Sequence, residues 1–230
     1  MTDNIELSVS LDSKKKYKRG RIRDKNQELI LNAAREEFVL KGYEGASIQA
    51  IADKAGIAKA NVHYYFKRKA NIYVAVLDEI IDLWNDYFDE IEEDDDPSVV
   101  LDKFIRQKVE LSYSHPQSSK LFAREMISGA PRLRDYMRNK MRPFVRKKAE
   151  VMEQWIAQGK MLPVDPTLLI FLIWSSTQHY ADFDIQVLTI MNRAEYEREM
   201  IDEIANFLSA TILRGVGLTP PVRGSQSVAS

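Results

Sequence analysis

The chain has 230 residues, with 33 Lys+Arg against 34 Asp+Glu, a formal net charge of -1 and no cysteine. That length can bury a sizeable core in one large or two small domains, and 45% hydrophobic with 29% charged residues excludes a wholly disordered or collagen-like chain. Lack of cysteine excludes disulfide scaffolds, thiolate zinc sites and thiol catalysis together.

The longest wholly apolar run, Leu168 to Trp174, falls far short of the roughly 20 residues that span a bilayer. Asp3 and Glu6 stand where a secretion signal would be apolar, so a cytoplasmic protein with no membrane partner is expected.

The charge is unevenly placed. Residues 1–70 hold 15 basic and 9 acidic side chains, net +6, whereas residues 71–230 hold 18 and 25, net -7. Lys14, Lys15, Lys16, Lys18, Arg19, Arg21, Arg23 and Lys25 crowd one short stretch, and residues 1–23 read as a flexible basic arm. Such an arm is either a solvated tail or a phosphate and minor-groove contact, with Arg19 and Arg21 as its candidate DNA ligands. An acidic body beyond residue 70 should avoid a duplex.

Helical periodicity runs through nearly the whole chain. Ile30, Ala34 and Phe38 recur every four residues on a first helix that Gly42 ends. Ser47 is a good N-cap for a short helix carrying Ile48, Ile51, Ala52 and Ala55, and Gly56 breaks it. A third helix is expected from Ala58 to Tyr64. A long fourth helix carries Ile72, Val76, Ile80, Trp84 or Leu83, Tyr87 and Ile91, and stops at the acidic run Glu92 to Asp96 before Pro97.

Further on, Leu101, Phe104, Ile105, Lys108 and Leu111 share a stripe that breaks at His115-Pro116. Leu121, Phe122 and Met126 mark a short helix ended by Gly129-Ala130-Pro131. Leu133, Met137, Met141, Phe144, Val151 and Trp155 mark a long one, kinked at Pro143 and closed by Gly159. Asp165-Pro166 is an N-cap with Pro at the first helical position. The last two helices are expected near 166–183 and 194–214, and residues 219–230 read as a flexible tail. The fold class is all-α with about nine helices.

The most informative stretch is Ser47 to Phe66. Its apolar positions Ile48, Ile51, Ala52, Ile57 and Val62 can face one small core, and Gly56 permits the tight turn of a helix-turn-helix. The second helix then offers Lys59, Asn61, His63 and Tyr64. Lys reaches guanine or phosphate, Asn pairs with adenine, and His63 and Tyr64 suit phosphates. Phe66 is expected to pack, and Tyr65 to pack as well as face the duplex. A helical hairpin that never meets DNA is the alternative.

The segment Glu36 to Leu77, with its Gly-aromatic, Ile-Ala, Ala-Gly-Ile and Tyr-Phe elements, resembles the TetR family of bacterial repressors. The resemblance implies a three-helix DNA-binding domain over 24–70 and a helical effector-binding and dimerisation domain over 71–218. It implies that Lys69 contacts a phosphate. Lys67-Arg68 stand where that family commonly has Pro-Ser, which removes a cap and adds positive charge. The candidate DNA-contacting set is therefore Ser47, Lys59, Ala60, Asn61, His63, Tyr64 and Lys69, with Arg19 and Arg21 from the arm.

Ser114 to Met137 and Pro163 to Phe183 resemble the branch of that family that controls pyrimidine utilisation in enteric bacteria. This implies a homodimer built from the last two helices and an effector such as uracil or a related pyrimidine, whose binding releases a palindromic operator. A small planar amide needs aromatic faces and a few donor–acceptor groups. The candidate ligand set is Trp84, Phe104, Lys108, Phe122, Trp174, Gln178 and Tyr180, each of which is otherwise simply core. No cofactor, metal or catalytic residue is expected. His179 and Asp182 lack a clear third metal ligand, and Ser175, His179 and Asp182 project from one helix with no oxyanion hole. A helical hydrolase and a nonspecific DNA-compacting protein are the remaining alternatives.

Overall fold

Side-chain caps at Ser47, Asp96 and Asp165 set where three of the helices begin. The computed structural model describes residues 3–88 and 91–222, the side chains of residues 3–23 and of Tyr87 excepted. Among the described residues every regular element is helical, and they form two compact units, Met1–Glu79 and Ile80–Ser230.

In the first unit, α1 (Asp3–Gly45) buries Ile30, Ala34 and Phe38 completely, the four-residue row expected of it. Gly42 leaves the helical path with φ of 68°, a left-handed value open to glycine. The expected arm over 1–23, with Arg19 and Arg21, falls on side chains outside the described residues. α2 (Ile48–Ala55) starts where the Ser47 hydroxyl accepts the Ala50 N–H at 3.1 Å. It ends at Gly56, whose φ of 65° turns the chain into α3 (Lys59–Tyr65).

α4 (Lys69–Asn85) follows. Its first turns belong to the head, because Tyr73 meets the Phe38 and Tyr43 rings edge-on at 4.9 Å each. The first compact unit accordingly runs to Glu79.

The second unit is built on α5 (Pro97–Ser114), which packs on both α9 (Pro166–Asp182) and α11 (Arg198–Gly215). Asp96 caps α5 through the Ser98 N–H, and Asp165 caps α9 through Thr167 and Leu168. Each cap precedes a proline at the helix start, where its missing N–H leaves no bond unmade. Buried Asp102 on α5 accepts from the buried Ser209 hydroxyl on α11 at 2.5 Å and from Arg106 at 2.8 Å. Phe104, Ile105, Met152, Trp155, Ile170, Ile173 and Leu213 are fully buried in the core between these helices.

The structure corrects the element reading in three places. α4 stops at Asn85, and a 3-10 turn (Asp86–Phe88) replaces the helix expected to reach Ile91. The tighter turn aims Phe88 into the core, where its ring stacks on Phe104 at 4.2 Å. Proline at 143 produces a π-turn rather than a simple kink: α7 (Arg134–Tyr136) runs through Met137–Met141 into α8 (Arg142–Ala157). The wider turn just before Pro143 accommodates a ring that clashes with the preceding turn and gives no N–H.

Finally, α10 (Asp184–Ile190) lies between the two last expected helices, where seven residues hold too little of a 3.6-residue period to show one. Together with α6 (Pro116–Ile127), and counting α7–α8 as one rod, the described residues form ten helices against the nine expected.

Candidate functional site

The head presents one exposed helix face. On α3, Val62 is fully buried and the following Phe66 nearly so, while Lys59, Ala60, Asn61, His63 and Tyr64 are exposed. Tyr64 is 76% exposed although its ring meets that of Tyr65 edge-on at 5.3 Å. Tyr65 anchors the face: its phenol oxygen accepts from the Asn26 amide on α1 at 3.1 Å. Ser47 stays exposed, with its hydroxyl accepting the Ala50 N–H as a cap.

The exposed amide makes a testable assignment. Asn61→Ala should relax selection at one base position, with a discrimination loss of about 1–3 kcal/mol, read by selecting operators from randomised duplexes. Unchanged selection would remove Asn61 from base reading.

Lys69 is placed differently from the expected phosphate contact. Its ammonium donates to the backbone carbonyls of Tyr43 at 2.7 Å, Ala46 at 2.9 Å and Glu44 at 3.3 Å, and lies 4.5 Å over the Tyr43 ring. An ammonium has three protons, so three carbonyls leave none for a phosphate. Lys69 therefore seals the α1–α2 corner of the head. Lys67 and Arg68, both exposed, remain as the cations of that loop.

In the second unit the structure brings three of the ligand candidates together. Lys108, buried on α5, puts its ammonium 4.5 Å over the Trp84 ring, and Trp84 meets Phe122 edge-on at 5.2 Å. The Lys108 ammonium has no hydrogen-bond acceptor among the described residues. Burial pulls it down to about 7, against the opposing pull of the Asp182 carboxylate. Asp182 is itself raised by burial, opposed by the 2.6 Å bond from Ser119 and by the cations Lys108 and Lys120. For both groups loss of water outweighs their mutual attraction.

Phe122 and Gln178 line an open crevice of about 590 Å³ with Met126, His179, Asp182 and Phe183. On the same helix, Trp174 holds a buried indole N–H with no acceptor. The sequence reading missed Asp182 as part of this site. Its spacing of four from Gln178 places both on one face of α9 and was visible.

Two candidates fall elsewhere. Phe104 is fully buried in the core against Phe88, so it is packing rather than pocket wall. Tyr180 lines a separate narrow crevice with Tyr113 and Tyr196, and its carbonyl accepts the Tyr196 hydroxyl at 2.8 Å.

No triad forms from Ser175, His179 and Asp182. The Ser175 hydroxyl donates to Leu172 O, Asp182 accepts from Ser119, and the His179 ring stacks on Phe183 at 5.2 Å. No group of three or more metal-ligating side chains occurs among the described residues, and no helix among them is long and apolar enough to cross a membrane.

Two family models match the chain. "Bacterial regulatory proteins, tetR family" covers residues 30–76, and "YcdC-like protein, C-terminal region" covers residues 77–219. The HTH-type transcriptional regulator RutR of Escherichia coli K12 is 36% identical over 199 residues, 86% of this chain and 94% of its own length. Among solved structures, AibR in complex with isovaleryl coenzyme A and operator DNA shares the fold with TM-score 0.61 at 20% identity, covering 86% of this chain and 100% of that one. A TetR-like transcriptional regulator from Rhodococcus sp. RHA1 aligns with TM-score 0.56 at 19% identity, covering 83% and 94%.

Proposed function

Because the chain belongs to the TetR family and is a DNA-binding transcriptional regulator, with relatives that are regulators and not enzymes, we propose that it is a ligand-responsive repressor. It binds a palindromic operator as a homodimer through α3 and is released by a small effector, uracil or a related pyrimidine. As a DNA-binding regulator it works in the cytoplasm.

One observation carries the effector assignment. Among the described residues the buried indole N–H of Trp174 and the ammonium of the buried Lys108 have no hydrogen-bond acceptor, in a unit that also offers the Trp84 and Phe122 faces and the Gln178 amide. Unsatisfied buried donors are costly until something accepts from them. A planar imide supplies carbonyl acceptors for the two donors, an N–H for the Gln178 carbonyl, and a flat face for the aromatic rings.

The homodimer reading rests on α9 and α11, which leave Leu168, Phe171, Leu172 and Phe207 about half exposed or more. A two-fold dimer reads a two-fold operator. Release requires that effector and DNA favour different states, and the coupling is reciprocal.

A thermal-shift series with uracil, thymine, cytosine and purines tests the reading. A pyrimidine at a hundred times its Kd adds about 2.7 kcal/mol, or roughly 5–10 °C for a chain of this size. The same compound should release two chains from each operator duplex. No shift with any pyrimidine at millimolar concentration would remove the effector assignment and leave the regulator standing. The nonspecific alternative separates by salt: a repressor keeps its preferred palindrome as salt rises, and a purely electrostatic binder does not.

A further inference from the structure

The net charge of the body conceals a local reversal. Residues 132–148 hold eight basic side chains and one acidic one, inside a segment whose total is negative. Seven of the eight lie along the α7–α8 rod, where Arg134, Arg138, Arg142 and Arg146 recur every four residues and all four are exposed.

A strict four-residue repeat drifts by roughly 40° per step around an α-helix. The π-turn over Met137–Met141 takes in one residue more per turn and offsets that drift midway. The result is a row of guanidinium groups along about 18 Å of rod, spaced about 6 Å apart.

Among the described residues no carboxylate answers these four guanidinium groups. Arg138, Arg142 and Arg146 form no ion pair among the described residues. Arg134 donates only its Nε, to Gly129 O at 3.4 Å. Asp135 and Glu150, the nearest acids along the rod, pair with none of the four. Like charges four apart on a helix destabilise it by about 0.2–0.5 kcal/mol per pair, so the row opposes the stability of the element that carries it.

We propose that this row is a second, sequence-independent contact to duplex DNA. A linear array of guanidinium forks matches a linear polyanion, and each fork can grip a phosphate through two N–H groups. The neighbouring rings, Tyr136 and Phe144, are only half exposed, so nothing along the row offers the stacking platform that single strands require. Nor is the row backed by the exposed apolar face of a membrane-surface helix, since Met137 and Met141 are half buried too. The chain's own operator supplies the duplex, so the proposal rests on its being a DNA-binding regulator.

The test uses the full chain and its R138Q/R142Q/R146Q variant on a minimal selected operator and on one with about 20 extra base pairs at each side. Affinity is measured between 50 and 200 mM salt. Each phosphate contact contributes about 0.9 to the slope of log affinity against log salt. The variant should therefore lose about 2–3 from that slope on the long duplex, and at least tenfold in affinity at the low-salt end. Arg-to-Lys changes at the same positions should restore most of the slope. R142Q alone, whose exposed site carries little folding risk, should lose about 0.9. Equal slopes for the wild type and both Gln variants on both duplexes would overturn the proposal. If the wild type prefers no sequence at all, the operator reading fails, and the slope comparison on arbitrary duplex still decides the row.

Discussion

Lys69→Met is expected to unfold the DNA-reading head rather than to trim a phosphate contact. Three backbone carbonyls converge on the Lys69 ammonium, from Tyr43, Glu44 and Ala46. They follow the Gly42 break and precede the Ser47 cap, so no helical N–H reaches them from within α2. Methionine keeps the stem over the Tyr43 ring and removes every donor. Hydrogen bonds to a charged group contribute about 1.5–3 kcal/mol each when buried. Lys69 is half exposed, so the three together are worth roughly 2–4 kcal/mol. A separate early melting step, or a drop of several degrees in Tm, should accompany loss of operator binding. Any binding that remains should keep the wild-type salt slope. A phosphate ligand would behave in the opposite way: Tm would stay unchanged and the slope would fall by about 0.9. Calorimetry beside a salt titration separates the two.

Ser47, Gly42, Gly56 and the Asp165-Pro166 pair were legible because a cap or a left-handed turn involves partners within three or four residues. The Lys69 carbonyls lie 23 to 26 residues away. Family likeness gave that lysine a role, whereas the packing of α4 against the end of α1 gave it partners.

The effector site divides along the same line. Helical spacing put Phe104 and Lys108 on one stripe of α5, yet only the neighbouring elements decide that Phe104 meets Phe88 while Lys108 meets Trp84. Periodicity says which side of a helix is buried, and cannot distinguish a core from a pocket wall. The arginine row was hidden for another reason. Beyond residue 70 the total charge is acidic, and only the continuous rod of α7 and α8 brings Arg134, Arg138, Arg142 and Arg146 into one exposed row. An acidic body can still meet a duplex along such a row.

Lys108→Met is expected to raise the Tm of the effector-free protein near pH 7, with a gain that shrinks as the pH rises toward 10. The sign follows from linkage. Burial lowers the folded-state value of Lys108 to about 7 from 10.5, so between those limits the unfolded chain binds a proton that the folded chain does not. Stability of the wild type therefore rises with pH across this window, and the penalty is greatest at and below pH 7. Methionine has no such dependence. It fills the same volume and places a thioether against the Trp84 ring. Each unit of displacement corresponds to about 1.4 kcal/mol, which puts the gain at neutral pH on the order of a few kcal/mol.

Asp182 loses a nearby cation in this variant, and its carboxylate, already raised by burial, should rise further. A K108M/D182N protein separates that effect, because it should show the same loss of alkaline dependence without a new acidic one. Neither variant should respond to a pyrimidine if the ammonium is what receives the ligand carbonyl. A K108M protein that melts at or below the wild-type temperature at pH 7, with the wild-type pH profile intact, would show that the lysine reaches water and is not held as a donor without an acceptor. An otherwise unanswered buried lysine would then lose its explanation as a ligand contact.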